Sequence, residues 1–129
     1  FFHGYTYSAH PAACAAGIAT QKIYESEGLF ERAAALEDYF LEAVWTLQDH
    51  PLVADIRGIG LMAGVELVSD GVVGRRGGQM QKAMFWNGLH VKFTGDNAII
   101  APAFIAERKH VDEIVDKFRA SLDAALDAK

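Results

Sequence analysis

Several side chains able to bind ligands or move protons stand together near the start of this sequence. Thr6 and Ser8 carry hydroxyls, and His3 and His10 carry imidazoles, all just before Pro11. Proline here predicts the first turn of a helix, because its fixed φ suits that turn and its missing N–H is not needed there. The free N–H groups of a helix start favour an anion such as phosphate or carboxylate. A plain capping role for the hydroxyls is the commoner alternative, and both stay open.

Two other kinds of site can be tested at the same helix start. His10 and Cys14 lie four residues apart, so they could share a helix face as metal ligands, with His3 as a third. A cap-region histidine and a small buried thiol explain them more simply, and we predict no metal site. Ser8 with His10 lacks the Gly-x-Ser-x-Gly context of an acyl-transfer nucleophile, so we predict no such triad.

Two cations in the middle of the chain have strand-like surroundings. Lys92 stands between apolar Val91 and Phe93, so its side chain should point to the opposite face from theirs. It is either an ordinary solvent-facing residue or a cation aimed at a carboxylate-bearing ligand. Arg57, last in its predicted strand before a glycine bend, offers the same choice, with anchoring to backbone carbonyls as its structural alternative.

Composition excludes several functional classes. The chain has 129 residues, 51% of them hydrophobic and 22% charged, which is typical of one globular domain spanning 1–129. A net charge of −5 without a basic cluster argues against nucleic-acid or anionic-membrane partners. One cysteine excludes an internal disulfide, and neither a membrane-spanning run nor a signal peptide is visible, so we expect a cytoplasmic protein. The start at Phe1 without methionine suggests a piece of something longer.

The periodicity of apolar residues predicts an α+β fold. Helices are expected at 11–27, 29–48, 79–87 and 107–128, and strands at 53–57, 61–68, 89–93 and 98–102. The four glycines of 69–78 predict a flexible surface loop, which lacks the Gly-Lys-Ser/Thr ending of a P-loop. Paired antiparallel strands among helices predict a small antiparallel sheet with helices packed on one face, the first and last helices being long.

A set of short motifs, taken in order, resembles a known family. The set comprises His3-Gly4-Tyr5-Thr6-Tyr7-Ser8-Ala9-His10-Pro11 with Ala13-Cys14-Ala15-Ala16, Glu27-Gly28-Leu29-Phe30-Glu31-Arg32-Ala33, Asp55-Ile56-Arg57-Gly58-Ile59-Gly60-Leu61, Gly64-Val65-Glu66-Leu67, Gly88-Leu89, Thr94-Gly95-Asp96 and Ile99-Ile100-Ala101-Pro102. Over essentially its whole length the chain is similar to the C-terminal part of class III aminotransferases. These are pyridoxal-phosphate enzymes of fold type I that include the ω-amino acid:pyruvate transaminases.

The resemblance implies a role for the opening motif. The family is homodimeric, with active sites at the subunit interface. By resemblance, Thr6, with Tyr5 beside it, binds the phosphate of pyridoxal 5′-phosphate belonging to the other subunit; a hydroxyl and a backbone N–H suit a phosphate oxygen. Residues 1–28 would then supply this contact motif and the first helix, and residues 29–129 the small domain.

Two departures from the family limit what the chain can do. The lysine that forms the Schiff base lies upstream of these motifs in the family, so we predict no catalytic residue here and an inactive isolated chain; Lys22 and Lys82 lie on helices outside any such context. By resemblance, Lys92 stands at the position where ω-transaminases of the family have an arginine that binds the substrate carboxylate. Lysine keeps the charge but loses the bidentate fork, which makes a donor such as a diamine more plausible.

The sequence therefore predicts the C-terminal domain of an aminotransferase that moves an amino group from an amine or ω-amino acid to a keto acid such as pyruvate. Within the same class, an aminomutase or another member acting on different amines is the alternative. A non-catalytic α+β interaction module is the alternative from a different class.

Overall fold

The computed structural model describes residues 4–127 as four α-helices and a four-stranded sheet. The helices are α1 (Pro11–Ser26), α2 (Leu29–Trp45), α3 (Arg75–Trp86) and α4 (Arg108–Asp127), and a 3-10 turn, Thr46–Asp49, follows α2. The strands are β1 (Val53–Ile59), β2 (Met62–Leu67), β3 (Lys92–Thr94) and β4 (Asn97–Ile100). The predicted α+β class is confirmed.

The sheet is antiparallel throughout, with strand order β1-β2-β4-β3. Alternate residues of β2 face the core, since Ala63, Val65 and Leu67 are buried while Met62, the first residue of the strand, is exposed. The helices α2, α3 and α4 supply the other half of that core, with Phe40, Met84 and Phe118 fully buried. We call the opposite side of the sheet, which these helices leave uncovered, the outer face.

The first helix packs less tightly than the others. It has no buried residue, and its contact with α2 includes the ring of Tyr24, whose centroid lies 5.1 Å from that of Phe30 and 5.7 Å from that of Phe104. A Cβ added at Gly17 would have no heavy atom within 4 Å. The small residues of α1 suggest a close approach to another backbone, but no such approach is made at Gly17 within residues 4–127.

Three sequence predictions need correction. Residues 75–78 are not loop but the first turn of α3, and the prediction of a flexible loop through 78 is wrong for them. The third strand is Lys92–Thr94 instead of 89–93, because the Leu89 N–H donates to the Met84 carbonyl at the end of α3 and pairing with β4 begins at Lys92. The glycine bend lies at Gly60 alone, whose φ is 57°, while β1 continues through Gly58.

None of the helices in residues 4–127 combines the length and apolarity needed to cross a membrane.

Candidate functional site

The segment before α1 folds as consecutive tight turns. The Ser8 N–H donates to the Tyr5 carbonyl at 3.2 Å, and the His10 N–H donates to the Tyr7 carbonyl at 3.2 Å. Ala9 takes a φ of 59°, the left-handed conformation that a residue with a Cβ rarely adopts. The chain thereby bends sharply and enters α1 at Pro11.

The hydroxyls of this segment do not cap the helix. His10 is the N-cap residue and makes no capping hydrogen bond from its side chain, and Thr6 and Ser8 are exposed with side chains that bond to no residue within 4–127. The capping interpretation of the two hydroxyls is therefore wrong. Pro11 has no N–H and the Cys14 N–H donates to the His10 carbonyl at 3.0 Å. The Ala12 and Ala13 N–H groups have no intrahelical partner, so they and the Thr6 hydroxyl are donors available to an anion.

A metal at this helix start finds no support in the part of the chain that the structure describes. No group of three or more His, Cys, Asp or Glu side chains within residues 4–127 is arranged to hold a metal ion. Cys14 is exposed, so the prediction of a small buried thiol is wrong. His3, the third ligand considered, lies outside the described residues.

Lys92 stands at the end of a row that crosses the whole outer face. It pairs in register with Ile99 of β4, Ile99 pairs with Gly64 of β2, and Gly64 pairs with Arg57 of β1. Lys92 is exposed, between buried Val91 and half-buried Phe93, so the predicted alternation is present. It makes no hydrogen bond or ion pair with any residue within 4–127.

Arg57, at the other end of the row, is neutralised by neighbouring carboxylates. One guanidinium nitrogen lies 2.8 Å from Asp55 Oδ2 and another lies 3.0 Å from Glu66 Oε2. The predicted anchoring to backbone carbonyls is therefore wrong, because the Arg57 guanidinium bonds to carboxylates of its own sheet, while its side chain remains 58% exposed. The partner Glu66 lies on the adjacent strand, diagonal to Arg57, which a single strand's sequence does not reveal.

A cleft of about 360 Å³ at the β3 edge contains Lys92 and Ile99 in its wall, with His90 before the strand and Ile114 of α4. None of its lining residues comes from the Tyr5–Thr6 segment. The two predicted binding elements thus belong to separate parts of this chain, the turn before α1 and the edge of the sheet.

Asp96 is a residue of this region that the sequence presented only as a turn former. Its carboxylate accepts hydrogen bonds from the backbone N–H groups of Gly74, at 3.1 Å, and Gly77, at 2.8 Å, at the start of α3. The glycines of 69–78 were a sequence signal for this contact, because a backbone that meets another backbone closely needs residues without a Cβ.

The same helix start carries a surface ion pair. The Arg75 Nε donates to Asp70 Oδ2 at 2.8 Å, and this hydrogen bond lowers the pKa of the Asp70 carboxyl below its ordinary value. Asp70 contacts α3 and its own loop, whereas Asp96 contacts α3 from the β3–β4 hairpin.

Comparison with known proteins gives a consistent picture. The family model described as aminotransferase class-III matches residues 2–122. The chain is 44% identical over 122 residues to an omega-aminotransferase of Caulobacter vibrioides, covering 94% of this chain and 28% of that protein. It is 35% identical over 130 residues to a putrescine–pyruvate aminotransferase of Pseudomonas aeruginosa, covering 95% of this chain and 28% of that protein.

Solved structures agree with the sequence relatives. A thermostable omega transaminase variant from Pseudomonas jessenii superposes with a TM-score of 0.84 at 35% identity, covering 96% of this chain and 29% of that one. An (S)-enantioselective omega-transaminase from Thermomicrobium roseum gives 0.83 at 34% identity, covering 98% and 30%. The chain thus spans less than a third of the length of these relatives. A family match over nearly all of the chain and the same fold identify it as a member of the class III aminotransferases.

Proposed function

We propose that this chain is the C-terminal part of a pyridoxal-phosphate-dependent aminotransferase that transfers an amino group from an amine or ω-amino acid to a keto acid such as pyruvate. The observation that carries this proposal is the 44% identity, over nearly the whole chain, to a protein named omega-aminotransferase. The relative named for putrescine and pyruvate supports an amine donor and a keto acid acceptor. Homodimerisation and a cytoplasmic location remain predictions.

The turn before α1 fits the phosphate of the cofactor. A phosphate oxygen accepts hydrogen bonds, and this segment offers the Thr6 hydroxyl, which has no protein partner within residues 4–127, beside a helix start with free N–H groups. Tyr5 is exposed next to it and would lie against the same group. In the dimer, Thr6 and Tyr5 would hold the phosphate of the cofactor in the partner subunit. When bound, pyridoxal phosphate supplies an electron sink for the reacting amine carbon.

Lys92 would bind the substrate carboxylate. On its row across the outer face Arg57 is already paired with two carboxylates, which leaves Lys92 as the cation without a counter-charge. A single ammonium holds a carboxylate as a point charge and without the bidentate geometry of a guanidinium. Such a site should bind keto acids less tightly than an arginine site and should tolerate donors that have no carboxylate, including diamines.

Two alternatives remain predictions from the sequence. An aminomutase or a class III enzyme for other amines would use the same Thr6 contact, and a non-catalytic interaction module would use none of these residues for cofactor.

The test uses the whole protein, meaning the longer polypeptide that we propose contains this chain. Incubated with pyridoxal phosphate, putrescine and pyruvate, it should form alanine at a rate that depends on both substrates. The 129-residue chain alone, as the control, should form none. A whole protein that forms no alanine with putrescine, β-alanine or another ω-amino donor would contradict the proposal.

A further inference from the structure

The β3–β4 hairpin is held from two sides by one residue at its turn. The Asp96 carboxylate accepts from Gly77 at 2.8 Å through one oxygen and from Gly74 at 3.1 Å through the other. The Asp96 carbonyl accepts from the Leu67 N–H at 2.9 Å, at the end of β2. The turn is therefore tied both to α3 and to the neighbouring strand.

The contact with α3 is that of a helix cap supplied by a different element. Gly74 is the N-cap residue and has no side chain that could bond to the first-turn N–H groups. A carboxylate at a helix N-terminus also interacts favourably with the helix dipole. The hairpin can approach this closely because Gly77 has no Cβ; one added there would lie 1.9 Å from the Gly95 carbonyl oxygen.

The position of Lys92 depends on this hairpin. Its strand, β3, has three residues, lies at the edge of the sheet and pairs with β4 alone. Lys92 is the first residue of that strand, and its own side chain bonds to nothing within residues 4–127. Short edge strands with one ladder are easily displaced, so an anchor at the turn has a direct effect on where the ammonium lies.

We propose that Asp96 is a positioning residue for substrate recognition: by capping α3 it fixes the hairpin, and the hairpin holds Lys92 on the outer face where the substrate carboxylate binds. This inference rests on the proposed function, because the carboxylate in question is that of the keto acid. Asp96 itself touches neither substrate nor cofactor.

The first experiment measures hydrogen–deuterium exchange in the whole protein and does not depend on activity. Asp96→Ala should accelerate exchange in residues 92–97 about tenfold, the change expected when charge-assisted hydrogen bonds to a backbone are lost. Asp96→Asn, which keeps one carbonyl acceptor, should show a smaller effect and guards against loss of the fold. Asp70→Asn removes an acid from the same helix start without touching the hairpin and should leave 92–97 unchanged. Exchange in 92–97 that rises no more than exchange in α2 would overturn the proposal.

The second experiment asks whether Asp96 acts through Lys92. Asp96→Asn should raise KM for pyruvate several-fold while KM for a carboxylate-free amine and kcat change little. In a Lys92→Ala background the same change should have no further effect on KM for pyruvate, because coupled residues are non-additive. An equal effect in both backgrounds would refute the positioning role. A whole protein without amino-transfer activity would contradict the proposed function instead, and the exchange comparison would then decide whether Asp96 fixes the hairpin.

Discussion

Replacement of Gly77 by alanine tests the contact between α3 and the hairpin more sharply than any other single methyl group. In a helix interior this change usually stabilises, since alanine is favoured over glycine by about 1 kcal/mol. Here the new Cβ would lie 1.9 Å from Gly95 O, 2.9 Å from Gly95 C and 3.0 Å from Asp96 Cα. All three atoms are backbone, so no side-chain rotation relieves the clash and the hairpin must move away.

The magnitude follows from what that movement removes. Overpacking of a close contact costs about 1–3 kcal/mol. Displacing the hairpin also weakens the hydrogen bonds from Gly74 and Gly77 to the Asp96 carboxylate, and a bond to a charged group contributes about 1.5–3 kcal/mol. These losses outweigh the propensity gain, so Gly77→Ala should lower the free energy of unfolding by about 3 kcal/mol net.

The next residue provides a matched control. Gly78 lies in the same helix, and an added Cβ there meets nothing within 4 Å. Gly78→Ala should therefore stabilise the chain by up to about 1 kcal/mol. Urea unfolding followed by circular dichroism, with equal m-values required, measures both variants, and thermal unfolding should show the Gly77 variant lower by about 10 °C. If the two variants were equally stable, the described packing of α3 on the hairpin would be refuted.

Three further outcomes are expected. Thr6→Val in the whole protein should weaken pyridoxal phosphate retention by about 1.5–3 kcal/mol, seen by dialysis and absorbance, while Ser8→Ala should not; equal retention in both variants removes Thr6 from the site. Lys92→Arg should lower KM for pyruvate through bidentate contact, and a raised KM would contradict the described role. The Lys117 ammonium hydrogen bonds to Glu113 and lowers the pKa of that carboxyl. The stability that this pair contributes is present above the pKa of Glu113 in the unfolded chain, and it is lost as pH falls through the lower pKa of Glu113 in the folded chain. Glu113→Gln should flatten this acid limb of stability against pH, and an unchanged limb would refute the pairing.

The elements that the sequence predicted well are those whose pattern is set by their own residues. The stripe Leu29, Leu36, Phe40 and Val44 is buried along α2, because a 3.6-residue period places these side chains on one side of any helix. The alternation around Lys92 likewise predicted its outward orientation, since side chains alternate in any strand.

The elements that sequence reasoning missed depend on partners distant in the chain. The start of α3 looked like loop because Gly74, Gly77 and Gly78 are poor helix formers; the helix begins there because Asp96, 19 residues beyond Gly77, caps it. Arg57 was left between two interpretations because its partner Glu66 is set by the register of β1 with β2. Neither contact can be deduced before the strands are paired.

The exposed surface of α1 is a third case in which the sequence and the packing within residues 4–127 differ. The small residues of α1 favour close contact with another backbone, yet in residues 4–127 the helix has no buried residue and Ile18 is 60% exposed. The curated relatives are more than three times as long as this chain. We propose that α1 packs against parts of the whole protein that lie outside residues 4–127, which explains its small and apolar side chains.

The most direct test of the role of Lys92 compares KM for pyruvate and for putrescine in the whole protein and its Lys92→Ala variant. If Lys92 is the cation that binds the substrate carboxylate, KM for pyruvate should rise about tenfold or more, the loss of one charge-assisted contact, while KM for putrescine stays within about twofold. Equal changes for both substrates, or no change in either, would contradict the assignment of Lys92 as the carboxylate-binding residue.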